Sequence, residues 1–259
     1  MPPTPGSTPG RTPPASPQHL IFLHGAGVGP WMWRHQREHF GDRFTVHTPT
    51  LPGHDPRQTG DYSTHDDAVR SIAAQVNLTS LQGEVTVVGF SMGGQVAIEL
   101  ASRFPQIITR TAVISSLVTP WRLAPAFALL GAVTAPLSKR ESFARKQAAQ
   151  LYIPDEDFPN YFALSRSISS RTISKIMTAN FSFAPSDEFL HTTQPVLLVA
   201  GAQEQRVLIT GLERLASTLP NSRFEIVEGV GHGAPLATPD VFNSALQSWL
   251  QKPSDVLGA

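Results

Sequence analysis

Val85-Thr86-Val87-Val88-Gly89-Phe90-Ser91-Met92-Gly93 is the stretch on which the fold turns. An apolar, β-branched run enters a Gly-x-Ser-x-Gly pentapeptide, and a segment with helical spacing of apolar residues, through Val96, Leu100 and Phe104, leaves it. A serine at a sharp strand-to-helix turn sits in a strained backbone conformation. Side chains two residues to either side would collide with neighbouring chain, which accounts for Gly89 and Gly93. With each fixed position matched about 7% of the time, the pentapeptide arises by chance in roughly one such chain in eleven. Its weight therefore comes from the strand before it and the helix after it. The turn places the Met92 N–H at a helix N-terminus, where amide and helix dipole both favour an oxyanion.

Outward from this stretch, strand-like runs recur at Leu20 to Leu23, Phe44 to Val46, Ala112 to Ile114, Val196 to Ala200 and Phe224 to Val227. Continuous apolar character indicates strands covered on both faces. Helical spacing appears at Ala68 to Leu78, Met92 to Phe104, Leu208 to Leu219 and Val241 to Leu250. The alternation predicts an α/β fold with a mostly parallel sheet flanked by helices. It fails over residues 120–190, where Pro, aromatics and helix formers mix; this reads as a helical cap inserted near the carboxyl ends of the strands, where such sheets bind ligands. The α/β core then comprises 18–119 and 191–252. Residues 1–17, rich in Pro, Ser, Thr and Gly, read as a disordered tail, and 253–259 as a second short tail.

Composition narrows the function classes. Lys plus Arg and Asp plus Glu are equal at 20 each, so no long-range field would gather nucleic acid or anionic lipid. The absence of Cys removes disulfide scaffolds, thiol nucleophiles and Cys-ligated zinc. The longest apolar run, Leu123 to Leu137, falls short of the ~20 residues a membrane span needs and contains Pro125 and Pro136, so no stable membrane insertion is expected. No apolar stretch of signal-peptide type precedes Leu20, which gives the cytoplasm as the expected location.

Two further stretches complete a chemical constellation. Leu20-Ile21-Phe22-Leu23-His24-Gly25-Ala26-Gly27 closes a strand with a His-Gly turn that can aim the Ala26 N–H back at Ser91; with the Met92 N–H it would form an oxyanion hole. His24 reads as a structural turn imidazole. Gly229-Val230-Gly231-His232-Gly233 follows the last strand, and His232 is the candidate general base, since a serine hydroxyl is weakly nucleophilic until an imidazole takes its proton. The acid that orients this ring should follow a strand between Ser91 and His232, and Pro195 to Ala200 leads to Glu204; residues 111–120 contain no carboxylate.

In combination these elements, from about residue 19 to residue 250, resemble the α/β-hydrolase family, in its serine esterase and lipase-like branch. The family's acid strand commonly ends in Gly-x-x-Asp, and here Glu204 occupies the acid's place. Leu51-Pro52-Gly53-His54 is similar to the family's loop after the second strand, with Asp55 where Gly is usual. The family usually begins with two additional strands, but the Pro-rich start cannot donate regular ladder hydrogen bonds, so a sheet of about six strands is expected. The resemblance implies a carboxylic ester hydrolase with a Ser91-His232-Glu204 triad and an acyl-enzyme intermediate, requiring no metal or organic cofactor.

Phe90, Phe127, Leu130 and Phe162 are the residues expected to touch substrate, in an apolar pocket suited to small or medium lipophilic esters. The basic residues Arg122, Arg140, Arg145, Lys146, Arg166, Arg171 and Lys175 are expected on the solvated face of the insertion. Other readings keep the fold and change the chemistry: carbon–carbon bond hydrolase, though Gly233 stands where such enzymes carry Trp, thioesterase, acyltransferase, or a receptor that only holds a small molecule. His35-Gln36-Arg37-Glu38-His39 matches a zinc-peptidase pattern, but its polar surroundings, early Gly41 and missing third ligand favour a solvated helix end.

Overall fold

The computed structural model describes residues 17–57, 61–121 and 137–251. Apart from Pro17, the expected tails lie outside the described residues, as do Arg122 and two of the expected substrate contacts, Phe127 and Leu130. Six strands, β1 (Gln18–Leu23), β2 (Thr45–His47), β3 (Glu84–Phe90), β4 (Ile108–Ile114), β5 (Val196–Gly201) and β6 (Ser222–Val227), form one sheet in the order β2-β1-β3-β4-β5-β6. Every pairing is parallel. The chain winds outward from β1 to β2 and then returns to the other side of β1 with β3. That reversal opens a crevice at the carboxyl ends of β1 and β3.

Strand alternation divides the core in two. Ile21, Leu23, Val85, Val87 and Leu198 face one layer, packed against α2 (His65–Gln75), α3 (Met92–Arg103) and α8 (Arg206–Thr218). Leu20, Phe22, Val88, Leu197 and Val199 face the other, with α1 (Arg34–Phe40) and α10 (Pro239–Leu250), whose Phe242, Leu246 and Trp249 are buried. Side chains alternate across a strand, so an unbroken apolar run is what two covered faces require. The strands extend beyond the apolar runs at polar residues. Arg110 in β4 is buried because its guanidinium lies over the Trp249 ring, 5.7 Å from the centroid.

Between β4 and β5 stand α4 (Glu141–Gln150), α5 (Phe158–Ser167), α6 (Ser170–Ser182) and α7 (Asp187–Leu190). Ser169 caps α6 by accepting the Thr172 N–H, and the Trp121 N–H donates to Phe181 O at 2.8 Å, tying the end of α6 back to the exit of β4. The described basic residues of this region avoid the cavity below it; Arg145, for example, pairs with Glu141 one turn back and lies over the Phe158 ring. A short α9 (Ala234–Ala237) precedes α10. Among the described residues no helix is long and apolar enough to cross a membrane.

Candidate active site

Ser91 stands between β3 and α3 with φ 54° and ψ −121°, a conformation that a residue with a side chain adopts only at a cost of about 1–3 kcal/mol. The surroundings impose it. The Ser91 N–H donates to Ile114 O at 2.8 Å, and Ser91 O accepts from the Gly94 N–H at 2.9 Å and the Ser116 hydroxyl at 2.7 Å. A Cβ on Gly89 would lie 2.2 Å from Gly93 O, and one on Gly93 would lie 2.3 Å from Leu23 O. Both are backbone atoms that cannot step aside, so the spacing of the two glycines follows from the tightness of the turn. The second contact also locks the start of α3 against the end of β1.

The His232 Nε2 atom lies 3.1 Å from Ser91 Oγ, and its Nδ1 lies 3.5 Å from Glu204 Oε2, at the long end of a hydrogen bond. The Glu204 side chain is fully buried. Its other oxygen, Oε1, accepts the Gly201 N–H at 3.1 Å and the Ser115 hydroxyl. Burial pushes this carboxyl upward, but the hydrogen bond and charge of His232 with the donors Ser115 and Gly201 outweigh it. The net result is a carboxyl held below the usual carboxylate range. The longer glutamate side chain thus reaches the ring from a socket at the ends of two strands. Sequence reasoning missed Ser115, which has φ 55° and whose N–H donates to Val199 O at 2.8 Å; the signal was a serine pair directly after β4, where a carboxylate was sought and none stood.

Two histidines build the loop opposite. His24 Nδ1–H donates to Gly25 O at 2.9 Å and its Nε2 accepts the Leu51 N–H at 3.0 Å. His54 repeats the pattern, Nδ1–H to Pro52 O at 2.9 Å and Nε2 accepting the Gly27 N–H at 3.1 Å. Each partner set uses one ring nitrogen as donor and the other as acceptor, which only a neutral imidazole provides. Burial first, then the neighbouring His54, bring His24 from 6.5 down to about 3; burial brings His54 to about 4 against the pull of the Pro52 carbonyl. The loop they clamp carries Ala26, which with Gly27 borders the same cavity as Ser91. Met92 opens α3, where an N–H has no partner within the helix.

A profile of the Alpha/beta hydrolase family matches residues 20–245. The chain belongs to this family. Among relatives of the hydrolase, a protein from Aromatoleum aromaticum named pimeloyl-(acyl-carrier protein) methyl ester esterase is 27% identical over 246 residues, covering 85% of this chain and 93% of the relative. The solved structure of MenH from S. aureus has a TM-score of 0.73 at 20% identity, covering 90% of this chain and 93% of that one. A thermophilic esterase from Thermogutta terrifontis has a TM-score of 0.75 at 21% identity, covering 92% and 90%. At these identities the structural likeness is one of fold.

The hydrolase's cavity measures about 570 Å³ and is bordered by Ser91, His232 and Glu204 together with residues of the helices between β4 and β5. Its wall is more mixed than the expected apolar lining. Tyr161, Met177 and Phe181 contribute apolar surface, but the carboxamides Gln147, Gln150, Asn180, Gln203 and Gln205 also border it. Among its described lining residues there is no Lys or Arg. Two expected substrate contacts lie elsewhere. Phe90 is 2% exposed and packs beneath the site, its ring 5.0 Å from that of His232. It packs in the layer of Leu20, Phe22 and Val88 and does not border the cavity. Phe162 stacks on Phe158 at 5.7 Å, because on α5 the residues turned to the cavity are Tyr161, Ser165 and the following Ile168. In the His35–His39 segment, His39 Nε2 lies 2.7 Å from Gln247 Oε1 on α10, a contact between two surface helices.

Proposed function

We propose that the protein hydrolyses carboxylic esters through an acyl-enzyme on Ser91. The observation that carries this reading is the 3.1 Å approach of His232 Nε2 to Ser91 Oγ on a strained turn that opens into a cavity. Neutral His232 takes the hydroxyl proton as Oγ adds to the ester carbon. The carbonyl oxygen becomes an oxyanion that the Ala26 and Met92 amides stabilise. The imidazolium formed, opposed by the Glu204 carboxylate, returns the proton to the departing alkoxide. Water then repeats the sequence on the acyl-enzyme and frees the acid. All groups the steps require are side chains and amides of this chain, without a metal or organic cofactor. The relative's methyl-ester activity, as its name states it, agrees with this reaction class.

The cavity volume fits a small or medium molecule. Absence of basic residues from its described lining favours an uncharged, largely lipophilic acyl group, since a buried carboxylate without a partner is costly. Across p-nitrophenyl esters from acetate to decanoate, kcat/KM should rise by up to about fourfold per methylene, about 0.8 kcal/mol each, until the cavity is full. An anionic succinate half-ester should be a poorer substrate than the butyrate ester. Highest efficiency on the anionic ester would overturn the substrate assignment, and no turnover of any member of the series would overturn the reaction class.

A further inference from the structure

We infer that Tyr152, on the helical insertion, is a positioning residue for His232, so that the seating of the insertion sets where the general base stands. The inference rests on the proposed role of His232 and adds to it a residue from outside the core.

The loop that carries His232 has little stiffness of its own: Gly229 and Gly233 have φ of 76° and 140°. It is therefore held by its neighbours. On one side the Gln203 N–H donates to Val230 O at 2.9 Å, and a Cβ on Gly201 would come within 2.4 Å of Gly231 O, so the loop lies flush on the end of β5. On the other side the Gly231 N–H, one residue from His232, donates to the Tyr152 hydroxyl at 3.0 Å. Beyond His232, a Cβ on Gly233 would lie 2.9 Å from Leu151 O and 3.1 Å from Tyr152 Cδ2. The dipeptide Leu151-Tyr152 thus touches the chain on both flanks of the histidine.

Three features give this contact a role in positioning. Tyr152 has φ 56°, a left-handed conformation that a residue with a side chain keeps only where its surroundings impose it. The acid holds the ring only through the 3.5 Å contact, and the His232 side chain is 32% exposed, so the loop backbone has to share in fixing the imidazole. Gln147, Gln150 and Leu151, just before Tyr152, border the cavity, whereas Tyr152 stands behind that wall. A substrate pressed against α4 therefore bears on the segment that holds the histidine.

Tyr152→Phe keeps the ring and removes only the acceptor, and Tyr152→Ala removes both. With p-nitrophenyl butyrate, Tyr152→Phe should lower kcat about three- to tenfold, the effect of one lost hydrogen bond on a reacting geometry, while KM stays close to wild type and the protein, with a melting temperature lower by a few degrees, stays folded at the assay temperature. The rate at which a phosphonate labels Ser91 should fall in the same proportion, and Tyr152→Ala should lose more of both. Wild-type kcat in Tyr152→Phe overturns the inference, as does a loss matched by an equal loss of folded protein. Ser91→Ala separates the two levels: if it is inactive while Tyr152→Phe is normal, only the role of Tyr152 fails; if it keeps full activity, the proposed nucleophile fails.

Discussion

Glu204 illustrates how a single methylene reshapes a site. An acid one carbon longer than aspartate cannot approach the imidazole along the shortest line, and it is folded into a socket where Ser115 and the Gly201 N–H hold one oxygen while the other faces His232. Against full burial of the side chain, its charge is maintained by His232 first and by these two donors with it. Glu204→Gln keeps the shape and removes the charge. It should lower kcat by orders of magnitude, toward the roughly 10⁴-fold seen for the corresponding amide change in a serine protease triad. Ser115→Ala, which removes one donor and keeps the carboxylate, should cost only about tenfold. Steady-state kinetics on one ester ranks them; equal, small losses would mean that the charge beside His232 plays no part.

At the scale of elements, the loop after β1 is stiff because two buried imidazoles fasten it to residues 51–54. That fastening has a pH dependence whose sign is fixed. The unfolded chain takes up protons on both rings below about 6.5, while the folded chain refuses them until about 3 at His24 and about 4 at His54. The unfolded state therefore binds more protons throughout this window, and stability rises with pH across it. Between pH 8 and pH 5 the two rings should together remove about 3–4 kcal/mol from the unfolding free energy. Burial also lowers His65 and His47, which act in the same sense. Urea unfolding at pH 8, 6.5 and 5 measures the slope. His54→Gln, which can still accept the Gly27 N–H but does not titrate, should flatten it; an unchanged slope in that variant would contradict the assignment of neutral, buried His54.

For the whole molecule, what the sequence discloses depends on whether a residue's role is local. Both strand and helix at Ser91 were legible because the motif and its flanks are contiguous, and the two-faced burial of β1, β3 and β5 was legible as unbroken apolar runs. His232 was found by its glycine neighbours at the end of β6. Arg110 was not read as strand, since its burial depends on Trp249 at the far end of the chain. Ser115 and Tyr152 were not assigned their contacts because each acts on a residue 79 to 89 positions away. Phe90 and Phe162 are expected to touch substrate, but which face an aromatic residue turns to is decided by the packing of its element. The fold follows from pattern, and the proposed chemistry from three side chains that only the sheet topology brings together. That convergence is tested most directly by mapping the site of covalent labelling with a fluorophosphonate by peptide mass spectrometry, with turnover of p-nitrophenyl butyrate followed in parallel. One phosphonyl group on the peptide containing Ser91, with loss of turnover in proportion and neither labelling nor turnover in Ser91→Ala, is the predicted result; an adduct at another residue, with turnover intact in Ser91→Ala, would contradict it.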